Sequence, residues 1–225
     1  MAEPSSLSTV TVPVPPVVAG GRKWATVHAG TDHSCGVTRG GAAYCWGDDT
    51  EGELGTGAAS TARPALVVGG RSWRHVSAGE SYTCGITSAG DALCWGTDSA
   101  GQLGNGAAGA TDTPAPVAGG LQWLRVTAGR ETSCGITTAS TAYCWGYNNT
   151  AEVGDGTTTP RDAPEAVSGG LLWATIDGGD YHTCGITQAG AARCWGYNAQ
   201  GQLGDGTLEN RTTPTLVAGG HSWAQ

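Results

Sequence analysis

Tryptophan recurs along this chain at a nearly fixed interval, at Trp24, Trp73, Trp123, Trp173 and Trp223, spaced 49, 50, 50 and 50 residues apart. Cysteine pairs keep the same period: Cys35 and Cys45, Cys84 and Cys94, Cys134 and Cys144, Cys184 and Cys194. A second tryptophan follows each pair directly, as Trp46, Trp95, Trp145 and Trp195. Such a chain is one unit copied four times, and each copy must fit against its neighbours. The unit runs P-x-x-V-x-G-G-x-x-W-x-x-V-x-A-G, then C-G-V-T or C-G-I-T, then A-x-C-W-G, then a glycine-rich loop. Helical repeats would need apolar residues at 3.6 spacing, and the unit has none. Its 39 glycines also oppose helix, at about 1 kcal/mol per helical position relative to Ala. Short strands and glycine turns at this period predict an all-β chain, a β-propeller of four-stranded antiparallel blades. The repeats fall at about 20–69, 70–119, 120–169 and 170–219, within a propeller domain of 13–225. Residues 1–12 precede it as a disordered segment.

Within the first copy, Trp24 to Gly30 reads as the inner strand. Ser34 to Thr38 and Ala42 to Trp46 read as a hairpin closed by Arg39-Gly40-Gly41. A three-residue hairpin loop wants a left-handed residue last, and Gly41 suits it. Gly90 and Gly190 do the same, whereas Ser140 suits it less. Alternation sends Cys45 and Ala43 to one face and Trp46 and Tyr44 to the other. Gly36 lies diagonally from Trp46 and leaves room for its indole. Trp46, Trp95, Trp145 and Trp195 are thereby expected to fill the gaps between blades. The outer strands are expected at Pro64–Val68, Pro114–Ala118, Pro164–Ser168 and Pro214–Ala218, each opening on the proline that an edge strand tolerates. A surplus outer strand is expected at Pro13 to Ala19, and the chain ends where a fifth inner strand would begin.

The same hairpin register sets the cysteines opposite one another. It predicts four within-blade disulfides, Cys35–Cys45, Cys84–Cys94, Cys134–Cys144 and Cys184–Cys194. Each closes a short loop worth roughly 2.5–3 kcal/mol. Nine intervening residues is not zinc-ligand spacing, so no metal is expected. Disulfides place the chain in an oxidising compartment: secreted, periplasmic or at the cell surface. Met1 to Thr11 shows no basic stretch followed by an apolar one, so no secretory leader is legible there.

Charge and hydropathy exclude other classes. With 11 basic and 19 acidic residues the chain carries a formal charge of -8, and Lys23 is its only lysine. Nucleic acid is therefore not an expected partner. No run of 18 apolar residues exists to span a membrane as a helix.

The repeat resembles the regulator of chromosome condensation repeat family. The resemblance is carried by the V-x-A-G strand (Val27, Ala29, Gly30), the W-G after the third strand, and the G-Q-L-G-N-G and G-Q-L-G-D-G loops at Gly101–Gly106 and Gly201–Gly206. It runs from about Pro13 to Trp223. It implies a propeller of four-stranded blades, commonly seven to a ring in that family. The paired cysteines look like those of its extracellular relatives: plant receptor-kinase ectodomains with one disulfide per blade, and secreted bacterial members. Nuclear members exchange nucleotides through a wedge inserted in a blade, and the even spacing leaves no insertion for that role. The UV-B photoreceptor relatives place tryptophan after the V-x-x-G glycine, where this chain has Thr31, Glu80, Arg130 and Asp180. Bacterial relatives that inhibit β-lactamase bind through loops on one propeller face, with no motif that can be carried over.

Few residues suggest chemistry. The glycine loops precede no helix and recur in every copy, so they read as turns rather than phosphate cradles. Asp48, Asp49 and Glu51 could attract a cation, but the other copies lack these charges. His33 and His182 precede a cysteine without a partner for catalysis and read as packing between blades. The candidate binding loops follow each W-G: Asp48 and Asp49 in the first copy, Tyr147, Asn148 and Asn149 in the third, Tyr197 and Asn198 in the fourth. Rigid aromatics beside amides suit a contact surface. The expected function is a non-enzymatic extracellular scaffold for a protein or glycan, without cofactor. The alternative is a self-assembling module, a homodimer forming an eight-bladed ring or something larger, in which the surplus strand and Pro214–Ala218 compete for one edge. A secreted enzyme or enzyme inhibitor fits less well.

Overall fold

The computed structural model describes residues 17–220. Among these residues every regular element is a strand, and the strands form four antiparallel sheets, each ordered as in the sequence. The first blade holds β1 (Trp24–Ala29), β2 (His33–Thr38), β3 (Ala43–Gly47) and β4 (Thr61–Leu66). The second holds β5 (Trp73–Ala78), β6 (Tyr82–Thr87), β7 (Ala92–Gly96) and β8 (Thr111–Pro116). The third holds β9 (Trp123–Ala128), β10 (Thr132–Thr137), β11 (Ala142–Gly146) and β12 (Arg161–Ala166). The fourth holds β13 (Trp173–Gly178), β14 (His182–Thr187), β15 (Ala192–Gly196) and β16 (Arg211–Leu216). Consecutive blades pack through their inner strands, β1 and β2 against β5, β5 and β6 against β9, β9 and β10 against β13.

The hairpin register is the one that opposes the cysteines. Cys35 pairs with Cys45 and Val37 with Ala43. Thr38 N–H donates to Ala42 C=O at 2.9 Å across the three-residue turn. All four disulfides form, with Cα atoms 4.0–4.1 Å apart. Gly41, Gly90 and Gly190 take positive φ, and Ser140 takes it too, at 63°. The turn thus imposes its backbone on a residue that resists it.

Two expectations need correction. The outer strands begin three residues earlier than the prolines, at Thr61, Thr111, Arg161 and Arg211. Pro64 lies inside an irregular stretch, since Cys45 pairs with Ala65 and Gly47 with Thr61. Between these pairs one residue of β3, Trp46, faces three of β4, Ala62 to Pro64, and an outer edge tolerates both the bulge and the missing N–H. Gly36 makes room for a different indole: a methyl there would come 2.9 Å from Trp24 Cε3. Trp24 in turn packs on Trp46, with ring centroids 5.6 Å apart. The expected strand at Pro13–Ala19 lies outside the described residues, apart from Val17 to Ala19, which carry no strand. The outward edge of β15 is occupied by β16.

The core lies between blades rather than within them. Cys35, Val37, Ala43, Cys45, Leu54 and Val67 of the first blade close over Trp73, Val76, Leu93 and Trp95 of the second. The next two junctions repeat this arrangement. The glycine-rich loop clasps the following blade. Trp95 Nε1–H donates to Glu53 C=O at 2.9 Å, Trp145 to Gln102 at 2.9 Å and Trp195 to Glu152 at 2.8 Å. The hydroxyls of Thr83, Ser133 and Thr183 donate to the same three carbonyls.

Candidate functional site on the loop rim

The β1–β2 turn and its counterparts ring one end of the arc. Thr31, Glu80, Arg130 and Asp180 line a depression of about 400 Å³ there. The loops that follow each W-G stand beside these turns, because Asp48, Thr97, Tyr147 and Tyr197 N–H groups donate to the carbonyls of Asp32, Ser81, Glu131 and Tyr181.

Among the described residues only the last two blades bring tyrosine rings to this rim. Tyr181 lies edge-on between Tyr147 and Tyr197, with centroids 6.3 and 6.4 Å away. The Arg130 guanidinium sits 5.0 Å over the Tyr181 ring, donates to its hydroxyl, and pairs with Glu80 at 3.0 Å. The Glu80 carboxylate holds the Arg130 pKa above its usual value. A neighbouring groove of about 580 Å³ runs past Tyr147, Asn149, Glu131 and Asp162. The result is a half-exposed aromatic surface with one oriented cation, of the kind suited to contact.

The other candidate residues have local partners. Asn148 and Asn198 are completely buried. Their Oδ1 atoms accept from Val153 and Leu203 N–H at 2.9 and 3.0 Å, and their amides donate across the loop to Thr159 C=O and Glu209 C=O. Asp49 makes the same bond to Leu54 N–H at 2.8 Å, and burial pushes its carboxyl above the usual range. Asp48 accepts from the hydroxyls of Thr50 and Ser60, which hold its carboxyl below the usual range. Asn149 is exposed and Tyr147 and Tyr197 half-buried, which leaves them free for contact. Sequence reasoning missed Arg130 and Tyr181 as members of the surface. Their only signal was being aromatic or basic at a position where other copies carry Asp32, Ser81 and Glu131, or Thr31 and Glu80.

His33 belongs to a junction. Thr83 gives its hydroxyl proton to Glu53 C=O, so the His33 Nε2–H donates to the Thr83 oxygen at 2.8 Å. Burial lowers the His33 pKa to about 4, against the pull of Asp32 and Asp48.

Family comparison agrees with this architecture. Two models of the regulator of chromosome condensation (RCC1) repeat match the chain, one at residues 24–53, 73–102 and 173–202, the other at 40–86 and 190–224. Together they cover more than half of it. The chain belongs to the RCC1 repeat family. Among solved structures, this RCC1-repeat chain resembles human WBSCR16 at 22% identity and a TM-score of 0.81, over 90% of this chain and 55% of that one. Yeast RCC1 (Prp20), solved bound to Kap60, matches at 19% identity and 0.81, over 91% and 50%. The ectodomain of the Physcomitrella patens receptor kinase CR4 matches at 24% and 0.55, over 84% and 44%. The chain thus spans about half the length of these relatives, and at such identities the likeness concerns the fold. No curated protein sequence matches significantly.

Proposed function

We propose that this RCC1-repeat chain is a non-enzymatic scaffold, working in an oxidising compartment, that holds a protein partner on its loop rim. The observation that carries the reading is the Tyr147, Tyr181, Tyr197 and Arg130 surface. It stands where the repeat departs from itself, whereas the packing residues recur in every blade. Tyrosine and arginine supply contact area at low entropic cost and are enriched where proteins bind tightly. Yeast RCC1 is itself solved with a protein bound, which supports a protein partner over a glycan. The four disulfides support a secreted, periplasmic or surface location.

The test compares the wild type with a Tyr147→Ala, Tyr197→Ala double variant in cross-linking to secreted and periplasmic protein fractions. A partner captured by the wild type and lost by the variant is expected. Equal capture by both moves the contact off this rim. Glycan-array binding that survives protein removal replaces the protein reading by a glycan one.

A further inference from the structure

The residue two positions after each W-G glycine pins the loop that follows, and it is Asp49, Asp98, Asn148 or Asn198 in the four copies. In the last two blades the asparagine uses both ends of its amide. Oδ1 accepts from Val153 or Leu203 N–H, and Nδ2 donates into a set of oxygens across the loop. In the third blade these are Thr157 C=O at 3.3 Å and Thr159 C=O at 2.9 Å. In the fourth they are Asp205 Oδ1, Thr207 C=O and Glu209 C=O, at 3.0–3.2 Å.

The second blade keeps one half of this arrangement and inverts the other. Asp98 Oδ1 accepts from Leu103 N–H at 3.0 Å, as the two asparagines accept from their loops. The planar carboxyl then sets Oδ2 where the asparagines hold their amide nitrogen. Asp98 is only 7% exposed, and among the described residues no donor reaches Oδ2. The loop opposite turns as its counterparts do, because Asn105 Oδ1 accepts from Ala107 N–H at 2.8 Å, in the manner of Asp155 with Thr157 and Asp205 with Thr207. Asn105 Oδ1 and Ala107 C=O therefore meet a carboxylate oxygen where their counterparts meet an N–H. Gly109 is not counted with them, since its φ of 118° departs from the backbone at Thr159 and Glu209.

Charge shows the same mismatch. Asp155 and Asp205 pair with Arg161 and Arg211 at 2.5 and 2.7 Å. The second blade has Thr111 in the arginine's place and no basic residue from Thr97 to Thr111. Burial first, and the Asp162 carboxylate after it, push the Asp98 carboxyl above the usual range. Side chains have also shrunk around the place. Thr157 and Thr207 each hold a hydroxyl 3.4 Å from the amide nitrogen, and Ala107 has none. Asp49 differs, because it is half-buried and its Oδ2 accepts from the Thr56 hydroxyl at 3.4 Å.

We propose that the second-blade loop binds a hard cation, calcium, through Asp98 Oδ2, Asn105 Oδ1 and Ala107 C=O, with water completing its shell. Calcium takes carbonyl oxygens beside a carboxylate, whereas zinc and copper favour nitrogen and sulfur. The ion supplies the positive charge that an arginine brings to the next two loops. It also ties Asp98 across the loop as the asparagine amide does there. With a single carboxylate the dissociation constant should be about 0.1–1 mM. The site is independent of the rim reading, because it uses none of Tyr147, Tyr181, Tyr197 and Arg130.

Calorimetric titration of the chelator-treated full chain with calcium chloride at low ionic strength tests it. The wild type should show one saturable site in that range, and Asp98→Asn should weaken it by about tenfold or more. Asn105→Asp adds a second carboxylate and should tighten it by about tenfold. Each variant carries the residue type that another blade holds at the same place, and an unchanged circular dichroism spectrum shows that it folds. Calcium at about 5 mM should raise the wild-type melting temperature by about 3 °C and leave Asp98→Asn unmoved, although without calcium that variant melts higher. Absence of saturable binding up to about 10 mM overturns the proposal. Equal binding by wild type and Asp98→Asn overturns it too, by placing calcium on surface carboxylates. A melting shift reproduced by potassium chloride at the same ionic strength reduces the effect to screening and has the same consequence. A wild type stabilised by acid and not by calcium holds a proton at Oδ2 instead, and an Asn105→Asp variant that binds no tighter overturns this donor set.

Discussion

Trp95 and Trp46 occupy the same place in successive repeats, one residue after the second cysteine. Trp95 has no exposed surface, donates to Glu53 C=O, and packs beneath the loop of the blade before it. Trp46 packs on Trp24 within its own blade as Trp95 packs on Trp73, but among the described residues no loop of another blade covers it, and it remains half-buried. The same contrast separates Ile136, at 2% exposure between blades, from the half-buried Ile186 at the end. A blade of this family is therefore half of a core. Its strands and disulfide form locally, while its apolar faces are completed by neighbours about fifty residues away.

The largest test of this contrast is truncation of the two indoles. Trp145→Ala should cost about 4 kcal/mol by chemical denaturation, as a buried tryptophan lost with its hydrogen bond. Trp46→Ala should cost less than half of that. Equal costs would mean that the blades stabilise themselves. Acid is the next probe. A neutral histidine whose folded pKa lies near 4 stabilises the fold above its ordinary pKa of about 6.5, and that contribution fades as pH falls from there to 4. His33→Gln should therefore remove up to about 3 kcal/mol of pH dependence over this window. His182, at the end of the arc, is lowered by burial to a lesser degree, and its Gln variant should remove less.

Glycine substitutions separate backbone strain from the clasp. Gly55 and Gly204 share φ values of 64° and 63°. A methyl at Gly55 would come 2.6 Å from Trp95 Nε1, whereas at Gly204 it meets only Val217 at 3.3 Å. Gly55→Ala should therefore lower stability by about 2 kcal/mol more than Gly204→Ala, and matching losses would remove the clasp as a stabilising contact. The smallest effect runs the other way. Asp98 occupies the place of Asn148 and Asn198, accepts from Leu103 N–H at 3.0 Å, and buries Oδ2 without a partner. Burial pushes its carboxyl above the usual range. Asp98→Asn keeps the accepted bond and supplies an amide that can donate across the loop, so it should stabilise the fold by about 1 kcal/mol. A loss in thermal melting would show that this loop differs from the other two.

What could be read from the amino acids was whatever closes within one hairpin or repeats with a constant period. The facing cysteines, the turn that ends on Gly41 and the split of Cys45 and Trp46 to opposite faces all follow from alternation and turn geometry over about a dozen residues. The blade architecture follows from the period itself. The tertiary structure alone decided the rest, because the interactions responsible reach beyond a single hairpin, from Trp24 against Gly36 and Cys45 against Ala65 within a blade to Glu53 and Trp95, 42 positions apart, between blades. The bulge that draws Pro64 into the middle of β4, the match of Gly36 to Trp24, and the loop carbonyl that holds the next blade's indole have no local signature. Asn148 and Tyr147 were indistinguishable as neighbours in a loop. Folding turned one inward to satisfy buried N–H and C=O groups and left the other at the surface beside Tyr181 and Arg130, because a buried loop must satisfy its own polar groups before it can offer any to a partner.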